Sequence, residues 1–227
     1  MTIRATRDAV SHIFHQRCFW LFLVLLLLIG AVSFVPATDH GRLVLNVVNT
    51  FVVIATVATV GRTTLPFAAA TLLALPAVWF QYVGLWHDSD TELAESWMFS
   101  AALYFITTAY LLRYVFQPRI MTQDKLFGAA SAYLLLGVLW AYVYAIVGFF
   151  YPGSYLVVGQ PGQLVYADAL YLSLTVLTST GFGDIVPLTR QARGICMIEQ
   201  VTGALFVAIL IARLAGVYPP RETYTDA

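Results

Sequence analysis

Between Tyr166 and Pro187 the chain reads YADALYLSLTVLTSTGFGDIVP, and most of its chemistry is concentrated there. The run Ser179-Thr180-Gly181-Phe182-Gly183-Asp184 sets two glycines one residue apart. Glycine enters backbone conformations closed to other residues, so such a segment can aim successive carbonyl oxygens in one direction. A ring of carbonyls aimed in that way can replace the water shell of an ion. Hydroxyls gather in and before the run, at Thr175, Thr178, Ser179 and Thr180, and Asp184 closes it. A plainer reading of the same residues is a glycine-rich turn between two membrane helices. Glu199 is a second group to weigh, because it lies inside an apolar stretch where an ionisable side chain is costly. Its cheapest placement is behind the glycine run, near the hydroxyls of Thr175 or Thr178, either protonated or paired with another group.

The elements that must position these groups follow from the flanking residues. Ala167 to Thr178 is apolar with hydroxyls and holds no helix breaker, which predicts a short helix. At about 1.5 Å per residue it is roughly 18 Å long, half the depth of a bilayer. Asp168 in its first turn suits the positive end of the helix dipole. Composition sets the wider frame. Sixty per cent of the 227 residues are hydrophobic and 11 % are charged, and the mean hydropathy is +0.79. Such a chain is a polytopic membrane protein with lipid as its surroundings. Its zero formal net charge excludes a nucleic-acid binder dominated by a basic surface. Cys18 and Cys196 fall in or beside membrane helices and read as small packing residues. No obligatory soluble partner is implied, and the stretch after Tyr218 is too short for a nucleotide- or calcium-sensing module.

Taken in order, residues 1–17 read as a cytoplasmic amphipathic segment, with Arg4, Arg7 and Arg17 beside Ile3, Val10, Ile13 and Phe14. Spans are predicted at 18–36, 43–60, 65–86, 96–116, 126–151 and 193–218, with Pro76 kinking the third. Tyr82 and Trp86 would anchor that span at the outer interface. His87, Asp88, Asp90, Glu92 and Glu95 read as an acidic outer loop. A metal site at His87, Asp88 and Asp90 is the alternative there. Pro152-Gly153 and Gln160-Pro161-Gly162 mark another outer loop. The domains expected are the amphipathic segment 1–17, a four-helix unit 18–116, a cytoplasmic linker 117–125, a pore domain 126–218 and a short tail 219–227. With both termini cytoplasmic, nine of the twelve basic residues lie inside and three, Arg42, Arg190 and Arg193, outside. The positive-inside tendency favours that orientation in a multi-pass protein of the cell membrane.

The residues from Thr178 to Asp184 resemble the potassium-channel pore sequence Thr-Thr-Val-Gly-Tyr-Gly-Asp. Pro187 stands where many members of that family carry proline, and Gly203 follows Gly183 by the family's usual step to an inner-helix hinge. The likeness covers about Leu126 to Tyr218, in the order outer helix, pore loop, inner helix. Thr180 departs from the usual Val or Ile, and Leu172 occupies a place often held by Trp. Ser179 for Thr and Phe182 for Tyr are milder changes. The resemblance implies an all-α membrane protein with six transmembrane helices and a re-entrant pore helix and filter, assembled as a homotetramer. It implies no cofactor, with K+ as the permeant ligand held at Ser179, Thr180, Gly181 and Phe182. Phe182 would wedge the filter against the pore helix, Gly183 would complete the glycine frame, and Asp184 would gather cations at the outer mouth. Thr175, Thr178 and Glu199 would support the filter from behind. Ala204, Val207 and Ile211 would line an apolar cavity below it. Gly203 would serve as a bending point or as a small residue for close helix packing. The side chain of Thr180 would turn away from the pore, toward an acceptor in the pore-helix backbone or at Glu199.

Six spans with one pore loop also resemble voltage-gated channels, but voltage sensing takes about three to four charges per subunit. The fourth span carries only Arg113, near its inner end. A weakly selective cation channel is the alternative reading, given Thr180. Gly181-Phe182-Gly183-Asp184 also satisfies the Gly-x-Gly-Asp pattern of intramembrane aspartyl proteases. That chemistry needs a second facing carboxylate, for which Glu199 is the one group at the right depth.

Overall fold

A computed structural model describes residues 17–35, 38–60, 64–87, 90–117, 122–157, 159–162 and 164–217. The amphipathic segment before Arg17 and the tail from 219 onward lie outside the described residues, as do Asp88 and residues 118–121 of the linker. Among the described residues seven helices follow one another: α1 (Arg17–Phe34), α2 (Asp39–Val60), α3 (Thr64–His87), α4 (Asp90–Val115), α5 (Gln123–Phe150), α6 (Tyr166–Leu177) and α7 (Arg190–Val217). All but α6 are long and apolar enough to cross a membrane. Composition alone sets this result, because an apolar run in lipid must satisfy its own backbone groups, and a helix does so within one segment.

The α5 helix sits at the centre and packs against α4, α1 and α6. Its N-terminal end is fixed by side chains. Thr122 caps it by accepting from the Lys125 amide at 3.3 Å. Asp124 accepts from the Cys18 amide at 3.2 Å and from the Tyr114 hydroxyl at 2.8 Å, tying the start of α1 and the end of α4 to one carboxylate. The Gln117 carbonyl takes Lys125 Nζ at 3.2 Å and Arg213 Nη2 of α7 at 3.0 Å.

Within the four-helix unit neutral hydrogen bonds link buried polar side chains. Asn49 of α2 donates to Gln81 of α3 at 3.0 Å and accepts from the Tyr104 hydroxyl of α4 at 3.1 Å. Tyr104 stacks on Tyr142 of α5, with centroids 5.7 Å apart. Tyr142 in turn lies 5.2 Å from Tyr166, the first residue of α6. A continuous seam therefore runs from α3 to the start of the short helix.

Two expectations are corrected. The stretch from Asp90 to Glu95 is the first turns of α4 and not an outer loop. Glu92 lies in the first turn of the helix, where a carboxylate complements the dipole. His87 pairs with Glu92 at 3.4 Å, and no cluster of metal-ligating side chains occurs among the described residues. The segment between α5 and α6 is likewise not irregular. Strands β1 (Tyr155–Val157), β2 (Gln160–Gly162) and β3 (Ile185–Pro187) form an antiparallel sheet in the order β2-β1-β3. Tyr155 pairs with Gly162 on one side and with Pro187 on the other. Gly153 and Gly159 supply the left-handed turns, at φ 76° and 80°. This sheet joins the chain before α6 to the chain after the glycine run. The α5 helix begins at Gln123, ahead of the span start at 126.

Candidate functional site

The chain from Leu177 to Asp184 leaves the end of α6 and returns toward β3 with an unusual backbone. Ser179, Gly181 and Gly183 all have positive φ, at 57°, 52° and 83°. Every second residue is thus left-handed, which lets successive peptide planes face the same way instead of alternating as in a strand. Gly181 and Gly183 accept this freely. Ser179 does not, and a left-handed L-residue costs about 1–2 kcal/mol.

The amides of the run are held by the end of the short helix. Thr178 N donates to Leu174 O at 3.1 Å, and Ser179 N to Val176 O at 2.9 Å. Thr180 N and Gly181 N both donate to Thr175 O, at 2.8 and 3.2 Å. These bonds occupy the amides of Ser179, Thr180 and Gly181 and leave the carbonyl oxygens of those residues available. The Thr180 hydroxyl lies 2.8 Å from that of Thr178, which itself donates to Leu174 O at 2.7 Å. Thr178 spends its one proton on Leu174, so Thr180 is the donor between the two hydroxyls. The acceptor is neither Glu199 nor a backbone carbonyl, as the sequence suggested, because Thr178 at the helix C-cap comes nearer than both.

Glu199 is fully buried. One carboxyl oxygen lies 2.6 Å from Ser173 Oγ of α6, and the other accepts a hydrogen bond from the Tyr144 hydroxyl of α5. Thr175 and Thr178, the neighbours expected for it, turn their hydroxyls to Leu172 O and Leu174 O of their own helix. A threonine in a helix reaches a carbonyl one turn back, whose second lone pair satisfies it without a distant carboxyl. One turn further along α7, Gly203 is buried directly against the Leu177 carbonyl, so that an added Cβ would overlap its oxygen. Leu177 O also accepts from Tyr133 of α5 at 3.2 Å. The junction of α6 with the glycine run is thus gripped from both long helices.

On the opposite end of the run, Phe182 lies parallel to the Tyr171 ring, with centroids 6.2 Å apart. The Tyr171 hydroxyl donates to Asp184 at 2.8 Å. A cavity of about 390 Å³ opens beside the run, lined by Thr175, Ser179, Gly181, Arg193, Cys196 and Gln200. Ala204, Val207 and Ile211 are exposed on α7 in the single chain, with Val201, Leu205 and Ile209 beside them. The arrangement offers free carbonyls on a braced backbone, above a helix whose apolar face is uncovered.

Sequence reasoning missed Ser173, Tyr144 and Tyr133. Ser173 is one hydroxyl among several in α6. The two tyrosines lie 55 and 44 residues from their partners, and no local pattern carries such a pairing.

Residues 130–218 match a protein-family model described as an ion channel. The match spans α5 through α7 and includes the glycine run. No solved structure matches the chain. The match and the six apolar helices support a multi-pass membrane protein of the ion-channel kind.

Proposed function

We propose that the protein is a potassium-selective channel that conducts K+ passively through a homotetrameric pore in the cell membrane. The observation that carries this reading is the alternation of left-handed residues at Ser179, Gly181 and Gly183. Together with donors already bound to the end of α6, it leaves a row of carbonyls for a dehydrated cation. One chain supplies one such row, and a ring needs four, so four copies surround one axis. In that reading Ser179, Thr180, Gly181 and Phe182 coordinate K+ in single file, with Gly183 completing the frame, and α6 is a pore helix. Asp184 concentrates cations at the outer mouth. The C-terminal end of α6 aims its negative dipole at the cavity below. Ala204, Val207 and Ile211 line that cavity, and the exposed face of α7 meets its neighbours or the permeation path. Both termini face the cytoplasm, the side of most basic residues.

Reversal potentials of the purified protein in potassium and sodium gradients test the proposal. A reversal potential tracking the potassium gradient supports it. Equal passage of sodium and potassium replaces it with a weakly selective cation channel, the reading that Thr180 favours by departing from the usual apolar residue. Absence of any ion current in bilayers sinks both.

A further inference from the structure

We propose that Glu199 is held as a neutral carboxylic acid that donates to Ser173, and that this clamp positions the pore helix behind the filter. The argument is a count of protons. Ser173 Oγ lies 2.7 Å from the Gly137 carbonyl oxygen and 2.6 Å from Glu199 Oε1. A serine hydroxyl has one proton, and a carbonyl has none to give. The contact with Gly137 therefore takes the proton of Ser173. The contact with Glu199 then has a proton between its oxygens only if Glu199 supplies one.

With an ionised carboxylate, one of these two short contacts becomes lone pair against lone pair. With a neutral acid every contact is satisfied. Tyr144 donates to Oε2, Glu199 donates to Ser173, and Ser173 donates to Gly137. The surroundings favour the neutral form as well. Glu199, Ser173 and Tyr144 are all fully buried. Among the described residues no lysine, arginine or histidine forms an ion pair with Glu199. The other titratable groups facing it are the Cys196 thiol beside Tyr144 and the hydroxyls of Tyr155 and Tyr133, all uncharged in their ordinary forms. An unpaired charge in such a place is expensive.

The clamp joins three elements at one point. Gly137 and Tyr144 belong to α5, Ser173 to α6 and Glu199 to α7. Gly137 lets α6 come close, since an added Cβ there would press on Leu174. Glu199 acts on permeation through Ser173, which makes it a positioning residue. That functional half rests on the channel reading, whereas the protonation itself does not.

Infrared spectra of the full-length protein in lipid nanodiscs test the assignment directly. The wild type should show the carbonyl stretch of a protonated carboxylic acid that disappears in Glu199→Gln. Glutamine also reproduces the pattern, with its amide donating to Ser173 and its carbonyl accepting from Tyr144, so Glu199→Gln should keep wild-type potassium flux and selectivity. Glu199→Ala strands the buried Tyr144 donor and unties Ser173 from α7, and should lower flux by about tenfold or more. Should Glu199→Gln fail to fold, Ser173→Ala serves instead. It removes the acceptor of the acid proton and should shift the same carbonyl band to higher frequency. Loss of a carboxylate band in Glu199→Gln, or an unmoved carbonyl band in Ser173→Ala, overturns the proposal. So does a Glu199→Gln variant that folds yet conducts as poorly as Glu199→Ala. The infrared result is the same whether or not the pore conducts. An intact band without potassium flux in the wild type thus counts against the channel reading alone.

Discussion

Tyr171 holds Asp184 with its hydroxyl at 2.8 Å and Phe182 with the face of its ring, two bonds from one side chain of α6. The hydrogen bond and the stack can be separated by substitution. Tyr171→Phe keeps the ring and releases Asp184, whereas Tyr171→Ala removes both. On the channel reading, conduction through the phenylalanine variant should start normally and decay faster, as the Asp184 end of the glycine run loosens. The alanine variant should show little sustained current. Macroscopic current over time in reconstituted bilayers reads the difference. Equal, undiminished currents in all three proteins would show that neither contact matters to the filter.

Gly203 separates two roles that its sequence position leaves open. It is buried against the Leu177 carbonyl, with no room for a Cβ. A methyl group there must push α7 away from α6, and overpacking of this kind costs about 1–3 kcal/mol. Gly203→Ala should therefore lower the thermal unfolding midpoint in detergent. A variant of unchanged stability but altered open probability would instead assign Gly203 to bending.

The alternating backbone makes an ordered prediction for its three left-handed residues. Gly183→Ala places a Cβ at φ 83° and should abolish conduction. Ser179→Gly removes the strain of a left-handed serine, at φ 57°, together with its hydroxyl. That variant should unfold at a higher temperature than the wild type. Its potassium flux should fall, because we propose that the Ser179 hydroxyl joins the carbonyls of the run in holding K+. Higher flux in Ser179→Gly would remove the hydroxyl from the coordinating set.

How far the sequence reached depends on the range of the contact involved. Six long apolar helices and a short one were legible, because a hydrophobic run and its breakers are local. The helical turns before Ser96 were not, since Asp90, Glu92 and Glu95 read as polar surface. A carboxylate such as Glu92 is favoured there by the helix end it occupies, which a local reading of polarity does not register. The β2-β1-β3 sheet escaped because its strands are three residues each, too short for alternation to register. Glu199 stood out by its depth alone. Its partners did not, as Tyr144 and Ser173 reach it only after three helices pack.

The seam through the four-helix unit predicts a weak response to voltage. Asn49, Gln81 and Tyr104 meet through neutral hydrogen bonds, where a voltage sensor would need ion pairs. Arg113 is the one arginine of α4 and is exposed near its C-terminal end. Open probability over a wide voltage range should rise shallowly, in contrast to the steepness given by about three to four gating charges per subunit. A steep curve would place the sensing charges elsewhere. Tyr104→Phe strips Asn49 of a buried donor and should destabilise the protein by about 1–3 kcal/mol.

The last prediction concerns Thr180. Its hydroxyl donates to Thr178 at 2.8 Å, and Thr178 passes its own proton to Leu174 O at 2.7 Å. The hydroxyl of Thr180 thus has a partner, and the extra polar atom carries no unsatisfied cost. Valine has nearly the same shape and lacks the donor. In Thr180→Val the Thr178 oxygen loses one bond but still donates to Leu174, so no buried donor is stranded. The amide of residue 180 keeps its bond to Thr175 O, at 2.8 Å in the wild type. The backbone frame should stand, and potassium selectivity should be kept or sharpened. Thr178→Val is the stronger perturbation, because it removes the acceptor of Thr180 and leaves that hydroxyl unpaired. Reversal potentials under a sodium and potassium gradient should rank Thr180→Val at or above the wild type and Thr178→Val below it. Loss of selectivity in Thr180→Val with selectivity intact in Thr178→Val would show that the hydroxyl of Thr180 acts on the ion and not on the helix behind it.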